Sequence, residues 1–89
     1  MAIYSIEWKH SARKELKKLP KYLIPKILIT VEGLIENPFP KGSRKIIGAK
    51  HIYRIRVGDY RIVYSVKSGK LVIEIIRVSH RKSVYRNLT

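Results

Sequence analysis

The sequence predicts an α+β fold: an N-terminal strand, an α-helical hairpin, and a three-stranded antiparallel meander in one twisted sheet. The helices cover one face of that sheet, and a short helix closes the chain. Three observations predict it. Between Ser11 and Asn37 apolar residues recur at helical spacing. Past Ile46 the period switches to two. Within that second region Gly58-Asp59 and Ser68-Gly69 interrupt the alternation as hairpin turns do.

Taken in order, Ile3, Tyr4, Ile6 and Trp8 give a strand over Ala2 to Trp8. Ser11 is placed to cap a short basic helix that runs to Leu19 and stops at Pro20. Ala12, Leu16 and Leu19 share its inward side, and Arg13, Lys14, Lys17 and Lys18 its outward side. A second helix carries Pro25 in its first turn and ends at Asn37-Pro38. Ile24, Ile27, Leu28, Val31, Leu34 and Ile35 form its buried stripe. Phe39 to Lys45 is a loop. Strands follow over Ile52 to Val57, Tyr60 to Lys67 and Leu71 to Val78, and Ser79 to Leu88 is a turn leading into the short helix. No segment is long enough to fold apart from the others, so residues 1–89 are expected to form one domain.

Composition narrows the function classes. Hydrophobic residues make up 45% of the chain, enough for a packed core and too many for a disordered one. There is no cysteine, which excludes disulfide staples, zinc ribbons and thiol nucleophiles. The six carboxylates are scattered without metal-ligand spacing, so neither a metal nor a cofactor is expected. No signal peptide or membrane-length apolar run is visible, and the expectation is a cytoplasmic protein.

Charge is the strongest signal. Twenty Lys and Arg against six Asp and Glu leave a formal net charge of +14. Such a body attracts polyanions. Nucleic acid is the first partner to consider, an anionic membrane surface the second, and an acidic protein the third, which could coexist with the first. A merely soluble surface needs far less charge.

The strands place part of this charge. Tyr53, Ile55 and Val57 alternate with Arg54 and Arg56; Tyr60, Ile62, Tyr64 and Val66 alternate with Arg61, Val63, Ser65 and Lys67. In the last strand Ile73 and Ile75 alternate with Val72, Glu74, Ile76 and Val78. Tyr60, Tyr64 and Trp8 read as core. Arg54, Arg56 and Arg61 then project to the side away from the helices, about 5–8 Å apart. That face is expected to be exposed. It is either a solvated guard against aggregation or a phosphate-binding surface, because the guanidinium fork grips two phosphate oxygens at once. Lys45, Lys50, Arg77 and Lys82 would extend the RNA-binding surface.

Past the last strand, His80, Arg81 and Tyr85 supply a group that titrates near neutrality, a permanent cation and a phenol. RNA is cut without a metal when its own 2′-OH attacks the adjacent phosphate. That needs a base, an acid for the leaving oxygen, and cations for the phosphorane. His80 could be base or acid, Arg81 could stabilise charge, and Tyr85 could stack or orient. A histidine at a strand end is also an ordinary surface or capping group.

The order of these elements, with Tyr53-Arg54-Ile55-Arg56, the run Asp59-Tyr60-Arg61-Ile62-Val63-Tyr64, and the closing Ser79-His80-Arg81 followed by Tyr85, resembles the RelE/ParE superfamily of type II toxins. The resemblance covers nearly the whole chain. It implies a toxin that enters the ribosomal A site, against ribosomal RNA, and cleaves mRNA there, and that a cognate acidic antitoxin neutralises. Operator DNA would be bound only through the antitoxin. It also implies that Arg54, Arg56, Arg61, Arg81 and Tyr85 occupy the family's functional positions. The best-known RelE enzymes place lysines where this chain has Arg54 and Arg56. An arginine stays charged and is a poor base, so His80 becomes the candidate for proton transfer. Two other functions compete: a ParE-like DNA gyrase inhibitor, and a non-catalytic RNA-binding, decayed toxin.

Overall fold

The structure, a computed structural model, describes residues 3–80. A five-stranded sheet in the order β1-β5-β4-β3-β2 carries two helices on one face. The strands are β1 (Ser5–Trp8), β2 (Arg44–Lys45), β3 (Ile52–Val57), β4 (Tyr60–Lys67) and β5 (Val72–His80); the helices are α1 (His10–Lys18) and α2 (Ile24–Gly33). The β3-β4-β5 meander is antiparallel, as the turn signals predict. β1 pairs with β5 in parallel, which places the first strand on the sheet's outer edge. Arg81, Lys82, Tyr85 and the expected C-terminal helix lie outside the described residues.

Helix α1 starts before Ser11. The Lys9 N–H still donates to the Ile75 carbonyl (2.9 Å), while the Lys9 carbonyl already accepts from Arg13 N–H (3.0 Å). The chain therefore turns from sheet to helix at Lys9, and no side-chain cap forms. Helix α2 ends at Gly33 and tightens: Leu34 and Ile35 N–H donate three residues back, to Val31 and Glu32, before Asn37-Pro38. Of its expected stripe Ile27, Val31 and Leu34 are buried, but Leu28 is exposed; Leu23, just ahead of the helix, is buried instead.

The core lies between the helices and one sheet face. Ala12, Ile27, Val31 and Leu34 meet Ile55, Ile62, Tyr64, Val66, Ile73, Ile75 and Val78, with Trp8 and Tyr60 packed against them. The turn Gly58-Asp59 has two residues as expected, with Gly58 at φ 60°. The connection at Ser68-Gly69 is longer: it takes four residues, Ser68 to Leu71, and puts Leu71 at φ 54°.

Strand β5 departs most from the sequence reading. It runs on to His80 rather than stopping at Val78, because Tyr60 and Arg61 at the start of β4 pair with His80 and Ser79. Its register shifts opposite Val63 and Tyr64, which pair with Arg77 and Ile75 and leave Ile76 as the extra residue of a bulge. Beyond the bulge the faces exchange. Val78, expected on the outer face, is buried in the core opposite Ile62. No helix among the described residues is long and apolar enough to cross a membrane.

Past Trp8 the chain has left the sheet, so among the described residues no strand pairs with the second half of β5 on that edge. Glu15 of α1 substitutes for one. Its Oε1 accepts from Val78 N–H and its Oε2 from Arg77 Nη2, both at 3.0 Å.

Candidate functional site

The register of β2, β3 and β4 gathers arginines on the face away from the helices. Arg44 pairs with Arg54 across β2 and β3, and Arg56 with Arg61 across β3 and β4. With Gly42, these four line a pocket of about 480 Å³. Arg61, expected on an exposed face, is only 3% exposed. It forms the floor of the pocket, with Arg54 half-buried and Arg44 and Arg56 at the rim. Val63 and Ser65 on the same face are buried too, so this side of the sheet is a set of clefts rather than an open surface.

Cations directly opposite one another on paired strands destabilise the pair. Among the described residues no carboxylate forms an ion pair with Arg44, Arg54 or Arg56. A bound anion would offset that repulsion, and the fork geometry of arginine suits phosphate oxygens.

The loop that brings Arg44 to the pocket is held from the core side. The Tyr64 phenol donates to the Pro38 carbonyl at 2.8 Å. Its ring stacks on Tyr53 (centroids 6.0 Å), and Phe39 meets Tyr53 edge-on at 5.0 Å. Asn37 Oδ1 accepts from Phe39 N–H at 3.1 Å and starts the turn. Burial raises the Tyr64 phenol above its ordinary 10.0, a shift that Ser43 nearby partly opposes. Tyr64 stays protonated at neutral pH and acts as a strut, on the opposite side of the sheet from the arginines.

The other expected site residues are dispersed. His80 pairs with Tyr60, and the two rings meet edge-on at 5.4 Å. That puts His80 on the helix-covered side, not with Arg61; Ser79 takes the position opposite Arg61. The bulge at Ile76 is the reason, since it inverts which residues of β5 face the arginines. Arg77 does face that way, opposite Val63, but Glu15 holds its guanidinium. Lys45 lies opposite Tyr53, whose side chain is on the core side, and Lys50 lines a separate cleft. His10 and His51 lie outside the arginine pocket. Arg44 is the residue that sequence reasoning missed. Its signal was the alternation Arg44-Lys45-Ile46 leading toward β3, too short to mark a strand by itself.

Comparison with known proteins agrees with this architecture. The family model described as ParE toxin of type II toxin-antitoxin system, parDE, matches residues 6–85. Toxin RelE3 of Methanocaldococcus jannaschii is 36% identical over 76 residues, covering 81% of this chain and 84% of that protein. Toxin RelE of Mycobacterium tuberculosis is 30% identical over 84 residues, covering 93% and 87%. Among solved structures, the archaeal RelE-RelB complex from Pyrococcus horikoshii OT3 contains a chain 31% identical to this one. It superposes with a TM-score of 0.79 and covers 91% of this chain and 97% of that one. On a family match spanning nearly its whole length, the chain belongs to the RelE/ParE superfamily of type II toxin–antitoxin toxins.

Proposed function

We propose that this chain is an mRNA endoribonuclease toxin that works in the ribosomal A site and thereby stops translation. The observation that carries the reading is the pocket of four arginines with a buried floor. Those arginines would straddle the scissile phosphate. The RNA 2′-oxygen attacks the adjacent phosphorus, and the P–O5′ bond breaks. The 2′-OH gives up its proton to solvent before attack and the leaving 5′-oxygen takes one up from water, so the products are a 2′,3′-cyclic phosphate and a 5′-hydroxyl. Charge on the phosphorane rises during attack, and preorganised guanidiniums stabilise it most at that moment. Arg81 and Tyr85 keep the roles the family resemblance gives them, as charge stabiliser and as stacking or orienting group.

The described lining of the pocket is glycine and arginine alone. None of these groups accepts a proton near neutral pH. Charge stabilisation and positioning are therefore the contribution of these residues, and the reaction follows the availability of the 2′-oxyanion. Such an enzyme is slower than one with a placed base, since general base catalysis contributes roughly 10²–10⁴-fold.

A cognate antitoxin is the second partner. The Pyrococcus relative is seen in complex with RelB. An acidic, partly disordered segment that folds on binding would neutralise the arginines here and block the pocket. Operator DNA would be read by the antitoxin within such a complex.

The reading to set against this one is the gyrase inhibitor, favoured by the match to the ParE family model and by a described pocket lining that holds no base. One experiment separates them. The chain, Arg54→Ala/Arg56→Ala and Arg81→Ala are expressed, mRNA 5′ ends are mapped with and without ribosomes, and DNA supercoiling is assayed in parallel. New ends that need both ribosomes and intact arginines are expected. Growth arrest with intact mRNA and blocked supercoiling would favour the gyrase reading.

A further inference from the structure

A second cleft, of about 510 Å³, opens on the same sheet face as the arginine pocket, beyond Arg54 toward the start of β3. Ile52 and Ser65, paired across β3 and β4, lie in it. Ile52 precedes Arg54 by two residues, a separation of about 7 Å along the strand. A single nucleotide spans that distance, so a strand held by its phosphate at the arginines passes over the cleft.

The cleft is built for something flat and partly apolar. Ile76, the extra residue of the β5 bulge, lines it from the side of β4 opposite Ile52. Bulges re-aim a side chain, and here the re-aimed isoleucine supplies an apolar surface. Glu74 sits opposite Ser65 and is tied only loosely, at 3.8 Å, to the half-exposed Lys67. The Ser65 hydroxyl is buried with no hydrogen-bond partner among the described residues. Lys50 and Lys67 flank the opening.

His51 adds a separate observation. It holds a left-handed backbone, φ 60°, which is uncommon for a residue with a side chain. The bond from Val66 N–H to the His51 carbonyl, 3.0 Å, fixes it there. Strain of this kind is kept where the surrounding structure enforces it, and it clusters at ligand sites. The imidazole lies at the rim, where it is exposed and available to stack.

We infer that this cleft is a nucleobase subsite for the nucleotide next to the phosphate in the arginine pocket, selective for bases that carry an exocyclic amine. The base lies against Ile52 and Ile76, as bases do against apolar side chains. Glu74 accepts from the amine, the pairing a carboxylate makes with cytosine N4. Uracil has no exocyclic amine and gains nothing from Glu74. The subsite rests on the RNA reading of the arginine pocket and adds sequence preference to it, which phosphate contacts alone do not supply.

Two probes keep the sites apart in one NMR experiment on the full, isotope-labelled chain. Uncharged nucleosides report on the cleft, and inorganic pyrophosphate reports on the arginines. Cytidine and adenosine are expected to shift the amides of Ser65, Glu74 and Ile76, with uridine about tenfold weaker. Glu74→Gln should erase that preference while the thermal melt stays unchanged; Ile76→Ala should weaken all nucleosides together. Nucleosides that shift nothing in the cleft, or bind it equally with and without Glu74, would overturn the inference. Pyrophosphate failing to shift Arg54, Arg56 and Arg61 would count against the arginine pocket instead, and leave the nucleoside result standing.

Discussion

Tyr64→Phe removes one oxygen and tests how the loop that carries Arg44 is held. Tyr64 is fully buried and its phenol donates to Pro38, itself buried, at 2.8 Å. The phenylalanine ring still fills the space, so no cavity opens and packing is kept. What is lost is the bond to Pro38 together with the Ser43 contact, and what remains is a buried carbonyl without this donor. That costs about 1–2 kcal/mol. In a domain this size each kcal/mol moves the melting temperature by about 4–8 °C, so a fall of about 5–15 °C is expected. Alkali gives a second, independent signature. Burial raises the phenol above 10.0 in the folded chain, so the native state keeps its proton where the unfolded chain releases it. Stability from this source is complete below pH 10 and is lost as pH rises toward the folded-state value. Phenylalanine has no proton to release, and its stability curve above pH 10 should be flatter than the parent's. Urea titrations from pH 8 to 11 on both proteins measure this directly. A melting temperature within 2 °C of the parent, together with the same alkaline slope, would show that the phenol is not holding the loop.

Four further outcomes are expected. Glu15→Ala frees Val78 N–H and Arg77 together and should cost about 2 kcal/mol by thermal melt; the partly exposed ion pair contributes little of that. Gly58→Ala meets no steric obstacle, but its φ of 60° disfavours any side chain, so urea unfolding should show a loss of about 1 kcal/mol. Arg56→Ala relieves the opposed Arg61 and should leave the fold as stable or more so, while the slope of log affinity for RNA against log salt falls by about 1. Single-turnover cleavage on the ribosome should rise with pH without an inflection near neutrality, and His80→Ala should leave that profile unaltered; a bell-shaped profile lost in the variant would restore His80 as the proton carrier.

Much of the fold was legible because its elements repeat a local signal. The i, i+3, i+4 stripe in α2 and the alternation in β3 and β4 each gave several residues that agree, and Gly58-Asp59 fixed one turn by its chemistry. What was not legible depends on partners distant in sequence. The two residues of β2 are a strand only because Tyr53 and Arg54 lie beside them. The parallel pairing of β1 with β5 joins residues nearly seventy positions apart, Ser5 with Val72. The start of α1 at Lys9 follows from a bond to Ile75 that no cap residue announces. In each case tertiary contact overrides the local pattern.

The candidate site turns on a single inserted residue. Side chains in a strand alternate, so one extra residue inverts every facing beyond it. An even count along β5 from Ile73 and Ile75 turns Val78 and Ile76 outward together. The bulge at Ile76 breaks that count: Val78 enters the core, Ser79 faces Arg61, and His80 joins Tyr60 on the other side. Nothing in Ile75-Ile76-Arg77-Val78 marks the break, because three of the four residues suit either face. Its cause is spatial. Strand β1 ends at Trp8, opposite Ile75, and beyond that point Glu15 takes over the free edge of β5 through Val78 N–H. The carboxylate that closes this edge also holds Arg77 back from the arginines. Deleting Ile76 should therefore straighten β5 while every later residue keeps its partner and its face, with Val78 in the core opposite Ile62, Ser79 opposite Arg61 and His80 beside Tyr60. Cross-strand NOEs between Ile62 and Val78 and between Tyr60 and His80 are expected to persist in the deletion mutant; their replacement by contacts that put Ser79 beside Tyr60 would mean that the count along β5 does not set the composition of the site.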